Sequence, residues 1–346
     1  MIKLFEIPQG QRGEAFLAAE AEDPLGLPAY IIEKDFWVTQ TLFVIYHEIA
    51  PNLRDKSSNP FIFKGGTSLS KGFGIINRMS EDIDLSLSLD LLGHTKVTKE
   101  SGESRRKCHE KALDIDISAE VFIRDFLLKE LGNRLKKLDD RVAIEIETEA
   151  PLNIAIYYPK ELSDTDYGGA VRPRVLLETG GRSDNNPVEN VTISHILGKC
   201  IPDLSDGSGF QVLTLSPQRT LLEKLFGVHT NLTQEKTIPK YARHLYDIIQ
   251  LNMHNPNWLD DKPLFNELVN FSDIHYKTHQ KSCDTAISGP LKLVPESEEM
   301  LNHYRNDWES MQDMFPRGEL PYTFEKLLIE MGKLQKTVNE IFYNQE

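Results

Sequence analysis

Cysteines are scarce in this chain of 346 residues. The three that occur, Cys108, Cys200 and Cys283, lie far apart and form no Cys-x-x-Cys spacing. An odd and scattered set argues against a disulfide framework and against a zinc site, and it fits a reducing compartment. The sequence therefore predicts a cytoplasmic protein.

Long apolar runs are also missing, and basic residues are fewer than acidic ones. No segment approaches the ~20 apolar residues that a membrane span needs, and the first residues lack the apolar core of a secretory signal. The formal net charge is −14. A nucleic-acid partner would therefore need local basic patches that act against the overall field, whereas a basic protein partner would suit this charge.

Length and composition favour an ordinary folded protein. Hydrophobic residues make up 40% of the chain and charged residues 27%, as is typical of globular proteins. A chain of this length suffices for two domains, or for one large domain with an appendage.

The most informative stretch begins with an apolar run, residues 61–63, which predicts a buried strand. It is followed by residues that we expect to bind a nucleotide: Lys64, Gly65, Gly66, Thr67 and Ser68. The two glycines let the backbone turn tightly and let phosphate oxygens approach main-chain N–H groups. A helix over residues 69–77 is predicted to cover this turn. Because no Gly-Lys-Ser/Thr follows the glycines, a Walker-type NTPase is disfavoured.

Two acidic residues, Asp82 and Asp84, follow with one apolar residue between them. On a strand, both carboxylates would project from the same face. Two neighbouring carboxylates repel each other, so the pattern favours a hard cation such as Mg²⁺ that bridges to substrate phosphates. The alternative is an acidic edge strand that happens to follow a glycine loop.

A further acidic residue, Glu178, stands in the otherwise apolar strand predicted over residues 174–180. A carboxylate in such a strand can take up a proton or help to hold a metal. The alternative is a glutamate of an edge strand that faces solvent.

From Ser216 onward the pattern changes to helices, which are predicted over residues 217–232, 240–253, 263–271, 296–314 and 321–343. Ser216 and Pro217 form a typical helix start. Taken singly, Lys224 would extend its ammonium from an apolar helix face to water. Asp247 would form a surface ion pair with Arg243, four residues earlier.

Several of these blocks resemble a known family. A glycine turn followed by Asp-x-Asp resembles the polymerase-beta-like nucleotidyltransferase superfamily. More narrowly, residues 64–71 and 78–85 resemble the AbiEii/AbiGii toxins, and residues 33–37, 217–224 and 243–247 look like further motifs of that family. The resemblance implies a nucleotidyltransferase toxin of a type IV toxin–antitoxin or phage-defence pair, with an antitoxin encoded separately. It also implies an NTP substrate, Mg²⁺ or Mn²⁺ as cofactor, and an RNA acceptor, with the tRNA 3′ end as one candidate.

The resemblance also assigns roles to residues. It implies that Asp82, Asp84 and Glu178 hold the metal. It implies that Lys224 binds triphosphate oxygens and that Asp247 orients it, both from the C-terminal part of the chain. The nucleotide-binding set is completed by Lys71, Ser80 and Arg243.

We therefore predict an α/β (α+β) fold: a polymerase-beta-like core with a small mixed sheet, joined to a helical C-terminal domain. Residues 1–215 would form the nucleotidyltransferase domain with N-terminal helices, and residues 216–346 the helical domain that completes the active site. Two other functions stay open. One is a nucleotidyltransferase that acts on a small molecule or a protein hydroxyl, and the other is an inactive nucleotide-binding protein.

Overall fold

The computed structural model describes residues 3–80, 82–99, 103–167, 172–204 and 208–343. The chain divides into two units. Unit 1 consists of Met1–Gly74, Met79–Thr95 and Ile115–Leu215, and unit 2 of Ile75–Arg78, Lys96–Asp114 and Ser216–Glu346. The functional domains 1–215 and 216–346 stay a prediction.

Unit 1 is built on one seven-stranded sheet. Its strands are β1 Phe61–Lys64, β2 Ile83–Leu87, β3 Ala143–Glu147, β4 Ala150–Tyr157, β5 Arg174–Gly180, β6 Val188–Ile193 and β7 Phe210–Leu215. They lie in the order β3-β4-β5-β2-β1-β7-β6. Strand β2 pairs with β5 and β1 with β7 in parallel, and the other neighbours are antiparallel. The mixed α/β fold that the sequence predicts is confirmed.

The helices of the first two thirds of the chain lie in unit 1, apart from residues 105–114 at the start of one of them, which belong to unit 2. They are α1 Arg12–Glu22, α2 Ala29–Phe43, α3 Gly65–Thr67, α4 Arg105–Phe122, α5 Leu128–Leu138 and α6 Ile196–Cys200. Three π-helical segments continue α2, α3 and α4: Val44–Ile49, Ser68–Gly72 and Ile123–Leu127.

One face of the sheet packs into the core of unit 1. Phe61 and Phe63 on β1 lie opposite Leu87 and Leu85 on β2, and all four side chains are buried. The same core contains buried side chains of α1, α2, α4 and α5. Because successive side chains of a strand alternate between its two faces, the neighbours of these residues point to the opposite face. That face carries the polar groups of the candidate site.

Unit 2 is helical. Its main helices are α7 Pro217–Gln234, α8 Arg243–His254, α9 Lys262–His275, α10 Gln280–Ser288, α11 Glu298–Glu309 and α12 Phe324–Tyr343. Helix α7 begins as predicted, because the Ser216 hydroxyl accepts a hydrogen bond from the N–H of Arg219 at 3.2 Å and Pro217 is its first residue. Within the described residues, no helix is long and apolar enough to cross a membrane.

Some elements differ from the sequence-based expectations. The helix expected over residues 69–77 ends at Gly72, and Gly74 then takes a φ of +64°, which ends a helical path. Helix α10 is not predicted by the pattern, because its nine residues are too few to show a clear apolar period.

A pair of leucines in unit 1 tests the core assignment. Leu42 on α2 is fully buried, whereas Leu17 on α1 is 44% exposed. We expect Leu42→Ala to lower the free energy of unfolding by about 2–5 kcal/mol, because the change removes buried methyl groups and leaves a cavity. Leu17→Ala should change it by about 0.5 kcal/mol or less. Urea denaturation of both variants measures the difference, and equal effects would contradict the assignment of this core.

A buried carboxyl group lies on α2. The side chain of Glu33 is fully buried, and its Oε1 accepts a hydrogen bond from the backbone N–H of Glu161 at 2.6 Å. Burial raises the pKa of Glu33 to about 7, and this hydrogen bond opposes the rise only in part. Unit 1 therefore holds an acid that changes charge near neutral pH.

This acid should make stability depend on pH. A carboxyl group whose pKa is raised on folding contributes stability that is complete below its ordinary pKa and lost as pH rises through the folded value. Between about pH 4.5 and about pH 8.5, we expect the wild type to lose roughly 3 kcal/mol relative to Glu33→Gln. Urea titrations across this range measure the loss. Glu22→Gln, at an exposed site, is the control and should follow the wild type.

Candidate active site

A tight turn joins β1 to α3 and begins at Gly65. The backbone of Gly65 has a φ of +79°, which residues with side chains rarely adopt. A Cβ atom at this position would lie 1.8 Å from Oδ2 of Asp84. The turn therefore places the main chain directly against the Asp84 carboxylate, and only glycine fits there.

Two buried hydroxyl groups hold this turn in place. Thr67 Oγ1 donates to the backbone carbonyl of Asp82 at 2.5 Å, and Ser68 Oγ donates to the carbonyl of Gly65 at 2.8 Å. A hydroxyl has one hydrogen to donate, and phosphate oxygens only accept. Phosphate binding at Gly65 and Gly66 would thus depend on main-chain N–H groups more than on these hydroxyls.

A row of polar residues crosses the sheet beside the turn. Asp84 on β2 lies opposite Lys64 on β1 and opposite Glu178 on β5, and Glu178 lies opposite Asn153 on β4. Directly opposite residues on neighbouring strands project from the same face. We call Lys64, Asp84, Glu178 and Asn153 the polar row. Two predicted carboxylates, Asp84 and Glu178, are thus side by side.

The alternative of an edge-strand glutamate in solvent is wrong for Glu178. Strand β5 lies between β4 and β2 in the interior of the sheet, and Glu178 is half-buried. The family resemblance implied a third carboxylate on a central strand beside the Asp-x-Asp strand, and the parallel pairing of β2 with β5 places Glu178 there.

Asp82 and Ser80 lie on the approach to β2. Strand β2 begins at Ile83, so Asp84 lies within the strand and Asp82 directly before it. Both Ser80 and Asp82 are half-buried. Residue 81 of the same motif lies outside the described residues. The hydrogen bond from Thr67 to the backbone carbonyl of Asp82 fixes the main chain at the point from which the Asp82 side chain projects.

The polar row offers the oxygen ligands that a hard cation prefers. Two adjacent carboxylates are stabilised when a cation lies between them. Among the residues that the structure describes, no three His, Cys, Asp or Glu side chains are grouped closely enough to hold a metal ion. Mg²⁺ commonly takes one or two carboxylates and completes its shell with water and substrate phosphates. Asp84 and Glu178 therefore fit Mg²⁺ better than a metal that needs a full protein cage.

Two of the lysines predicted to bind the nucleotide, Lys64 and Lys71, have different surroundings. Lys64 belongs to the polar row, and its ammonium donates to Ser183 Oγ at 3.3 Å. Lys71 forms an ion pair with Asp35 and donates to the carbonyl of Ser194 at 3.0 Å. Burial lowers the pKa of Lys71, although the Asp35 carboxylate opposes this. These contacts explain Lys71 as a structural residue, and its nucleotide-binding role stays a prediction.

Unit 2 contains a buried charge cluster around Asp247, which is fully buried. Arg78 binds it with two parallel hydrogen bonds, from Nε to Oδ1 and from Nη2 to Oδ2, each 2.7 Å long. Lys224 Nζ lies 2.9 Å from Oδ2. Burial by itself would raise the pKa of Asp247, but the charges of Arg78 and Lys224 outweigh it and hold the pKa below its ordinary value.

Lys224 is enclosed in this cluster. Its side chain is 9% exposed, and burial lowers its pKa even though Asp247 opposes the shift. His244 lies beside it, with Nδ1 3.1 Å from Nζ. Burial, followed by the charge of Lys224, lowers the pKa of His244 far below its ordinary value. The imidazole is therefore neutral at pH 7, and its Nδ1 accepts a hydrogen bond from the ammonium.

Arg243 adds a third positive charge to the cluster and acts on both Lys224 and His244. Its Nε is buried without a hydrogen-bond partner, and no described residue forms an ion pair with it. Among the described contacts, Asp247 pairs with Arg78 and Lys224, and Arg243 adds positive charge beside Lys224. We call these residues with Asp247 the cation cluster. Buried charge without a counter-charge favours the binding of an anion.

Two simpler interpretations of these helical residues are wrong. Asp247 pairs with Arg78 and Lys224, and not with Arg243 four residues earlier. Lys224 does not extend to water, because its ammonium lies against a buried carboxylate. Sequence reasoning missed Arg78 as a site residue. The available signal was its place at the start of the block that ends in Asp-x-Asp.

A carboxylate pair beside a glycine turn, on a mixed sheet, defines a nucleotidyltransferase. The comparison with protein families agrees: the model described as nucleotidyl transferase AbiEii toxin, type IV toxin–antitoxin system, matches residues 52–330. The chain therefore belongs to this family, and the resemblance inferred from the sequence is confirmed. Membership makes the protein a nucleotidyltransferase with a nucleotide substrate and an antitoxin partner. No curated protein sequence matches the chain.

Two glycines with positive φ allow a matched test of the turn. A Cβ at Gly65 meets Asp84, whereas one at Gly74 (φ +64°) meets nothing within 4 Å. We expect Gly65→Ala to lower nucleotide transfer by at least about 10²-fold, because it displaces a carboxylate of the site. Gly74→Ala carries a similar backbone strain and should keep transfer within a few-fold of the wild type. Equal losses in the two variants would contradict the role of the Gly65–Asp84 contact.

Proposed function

We propose that this nucleotidyltransferase depends on Mg²⁺ or Mn²⁺ and transfers a nucleotide from an NTP to RNA, with the tRNA 3′ end as the first acceptor to test. One observation carries the proposal: Asp84 lies against the Gly65 turn and directly beside Glu178. This arrangement joins carboxylates to a backbone turn that a phosphate can approach closely.

The reaction is an in-line displacement at phosphorus. An acceptor hydroxyl oxygen attacks the α-phosphorus, the bond from that phosphorus to the bridging oxygen breaks, and pyrophosphate leaves. Glu178 takes the proton of the attacking hydroxyl. A bound divalent cation would be held by Asp84 and Glu178, with Asp82 and the phosphate oxygens of the nucleotide completing its shell on binding, and it would neutralise phosphate charge. The turn orients the nucleotide through main-chain N–H groups of Gly65 and Gly66.

The cation cluster supplies the complementary charge. Lys224 and Arg243 bind the phosphate oxygens of the leaving pyrophosphate, where negative charge develops. Asp247 orients Lys224 and keeps it in place. In this proposal, residues 1–215 provide the carboxylates and the turn, and residues 216–346 provide the phosphate-binding cations. The nucleotide-binding part of the site is completed by Lys64, Thr67, Ser68, Lys71 and Ser80.

The acceptor is the least constrained part of the proposal. Type IV toxin–antitoxin membership favours a macromolecule of the cell that makes the toxin, and so action in the cytoplasm, in growth control or phage defence. The formal net charge of −14 repels RNA over long distances and favours a small molecule or a protein hydroxyl instead. Both acceptor classes use the same chemistry, so one assay separates them.

The test is a labelling experiment with the full chain. The protein is incubated with Mg²⁺, each α-labelled NTP in turn, and total tRNA, and the products are separated on a denaturing gel. We expect label on tRNA, and a loss of at least about 10²-fold in Asp82→Ala. Omission of the divalent cation should abolish labelling.

The control is Asp90→Ala, which removes an exposed aspartate shortly after β2 and should keep full activity. Label that appears on the protein or on a small molecule of a lysate, and not on RNA, would replace the RNA acceptor with the second class. Triphosphate binding without transfer to anything would leave only a nucleotide-binding protein and contradict the proposal.

A further inference from the structure

Arg78 belongs to unit 2 although its segment, Ile75–Arg78, lies far in sequence from helices α7 and α8 of that unit. The short segment Ile75–Arg78 packs with helix α8: Ile76 is buried, and the main-chain N–H of Asn77 donates to the Tyr246 hydroxyl at 3.3 Å. The side chain of Arg78 is 2% exposed and ends on Asp247. The arginine is therefore held from its backbone as well as from its guanidinium group.

The Asp247 carboxylate is shared unequally between two cations. Arg78 uses both oxygens in a planar, bidentate pair, whereas Lys224 reaches only Oδ2. A bidentate guanidinium pair is strong and fixed in direction. Because the single negative charge of Asp247 is already committed to Arg78, it neutralises Lys224 only in part. The Lys224 ammonium also lies against Nδ1 of His244. Part of its positive charge therefore stays unbalanced and can attract a third partner.

We propose that Arg78 is a positioning residue for triphosphate binding: it fixes the Asp247 carboxylate so that Lys224 stays in place and under-neutralised toward phosphate oxygens. This inference rests on the proposed function of Lys224. It predicts that Arg78 acts through Asp247 and does not itself touch the nucleotide. Residues that orient a ligand-binding group from behind usually change affinity or activity by about 10–100-fold when they are replaced.

The first experiment measures NTP binding and transfer by Arg78→Gln. Without Arg78, the whole charge of Asp247 falls on Lys224, so the KM for NTP should rise about 10–100-fold. Arg78→Lys keeps the charge but loses the bidentate geometry, so its KM should lie between those of the wild type and of Arg78→Gln. Arg105→Gln is the matched control, since Arg105 pairs with Asp273 and Asp284 at the surface of the same unit. It should keep the wild-type KM.

The pH dependence of binding gives a readout that a structural defect would not reproduce. Lys224 binds phosphate as the ammonium, so binding is lost as pH rises through its pKa. The groups that face Lys224 are Asp247, Arg78, Arg243 and His244. Burial lowers the pKa of Lys224 most, Asp247 opposes this, and the charge of Arg78 lowers the pKa further by repulsion. In Arg78→Gln, the alkaline loss of NTP binding should therefore move to higher pH.

A double-mutant cycle tests whether Arg78 acts through Asp247. In an Asp247→Asn background, Arg78→Gln should change the KM much less than it does in the wild type. An undiminished effect in that background would overturn the proposal. The cycle also serves if Arg78→Gln folds poorly alone, because the double variant removes the Asp247 carboxylate that would otherwise lose its guanidinium partner.

The two proposals fail in different ways. Wild-type protein that transfers nucleotide, while folded Arg78→Gln and Arg78→Lys keep a wild-type KM, overturns the role of Arg78 and leaves the proposed function intact. Wild-type protein that neither binds an NTP nor transfers a nucleotide overturns both.

Discussion

The contact between the Gly65 backbone and the Asp84 carboxylate is the constraint on which the candidate site depends. It requires a residue without a side chain, a positive φ and a strand that delivers a carboxylate to the same point. The pairing of β1 with β2 delivers it, and the parallel pairing of β2 with β5 brings Glu178 beside it. The apolar face of the same strands is packed into the core. One register therefore sets both the core and the carboxylates, and a slip of one residue would exchange them.

Unit 2 differs from unit 1 in the sign of the charge that it brings together. In unit 1, the carboxylates of Asp84 and Glu178 lie side by side, which favours a cation. In unit 2, the cation cluster buries arginine and lysine side chains, which favours an anion. Burial of charge is costly unless it is paired, and the Asp247 carboxylate pairs with both Arg78 and Lys224. In the proposed function, a bound triphosphate would balance positive charge of Lys224 and Arg243. Stability and binding are thus linked in these residues, which is why conservative substitutions such as Arg78→Lys are informative.

The sequence-based prediction rested on local patterns and did not extend to contacts between residues far apart in the chain. The strand before Gly65, the Asp-x-Asp alternation and the Ser216 cap are readable because each depends on near neighbours in the chain. The resemblance added Lys224 and Asp247. The partner of Asp247 could not be read, because Arg78 lies 169 positions away, and spacing alone favoured Arg243. Lys71 shows the same limit, since its ion pair with Asp35 spans 36 positions. The partners of buried polar side chains depend on tertiary packing, and the periodicity of the sequence does not predict them.

Net charge and local charge lead to different expectations for the substrate. The chain as a whole carries −14, and such a field slows the approach of any polyanion, although salt screens it beyond about 8–10 Å. The cation cluster acts at contact distance and in buried surroundings, where charges are screened far less. Phosphate recognition can therefore be strong in a protein that is acidic overall. The net charge should therefore lower the association rate of an RNA acceptor more than the strength of its final binding. We expect weak initial association with RNA that becomes faster as salt screens the repulsion.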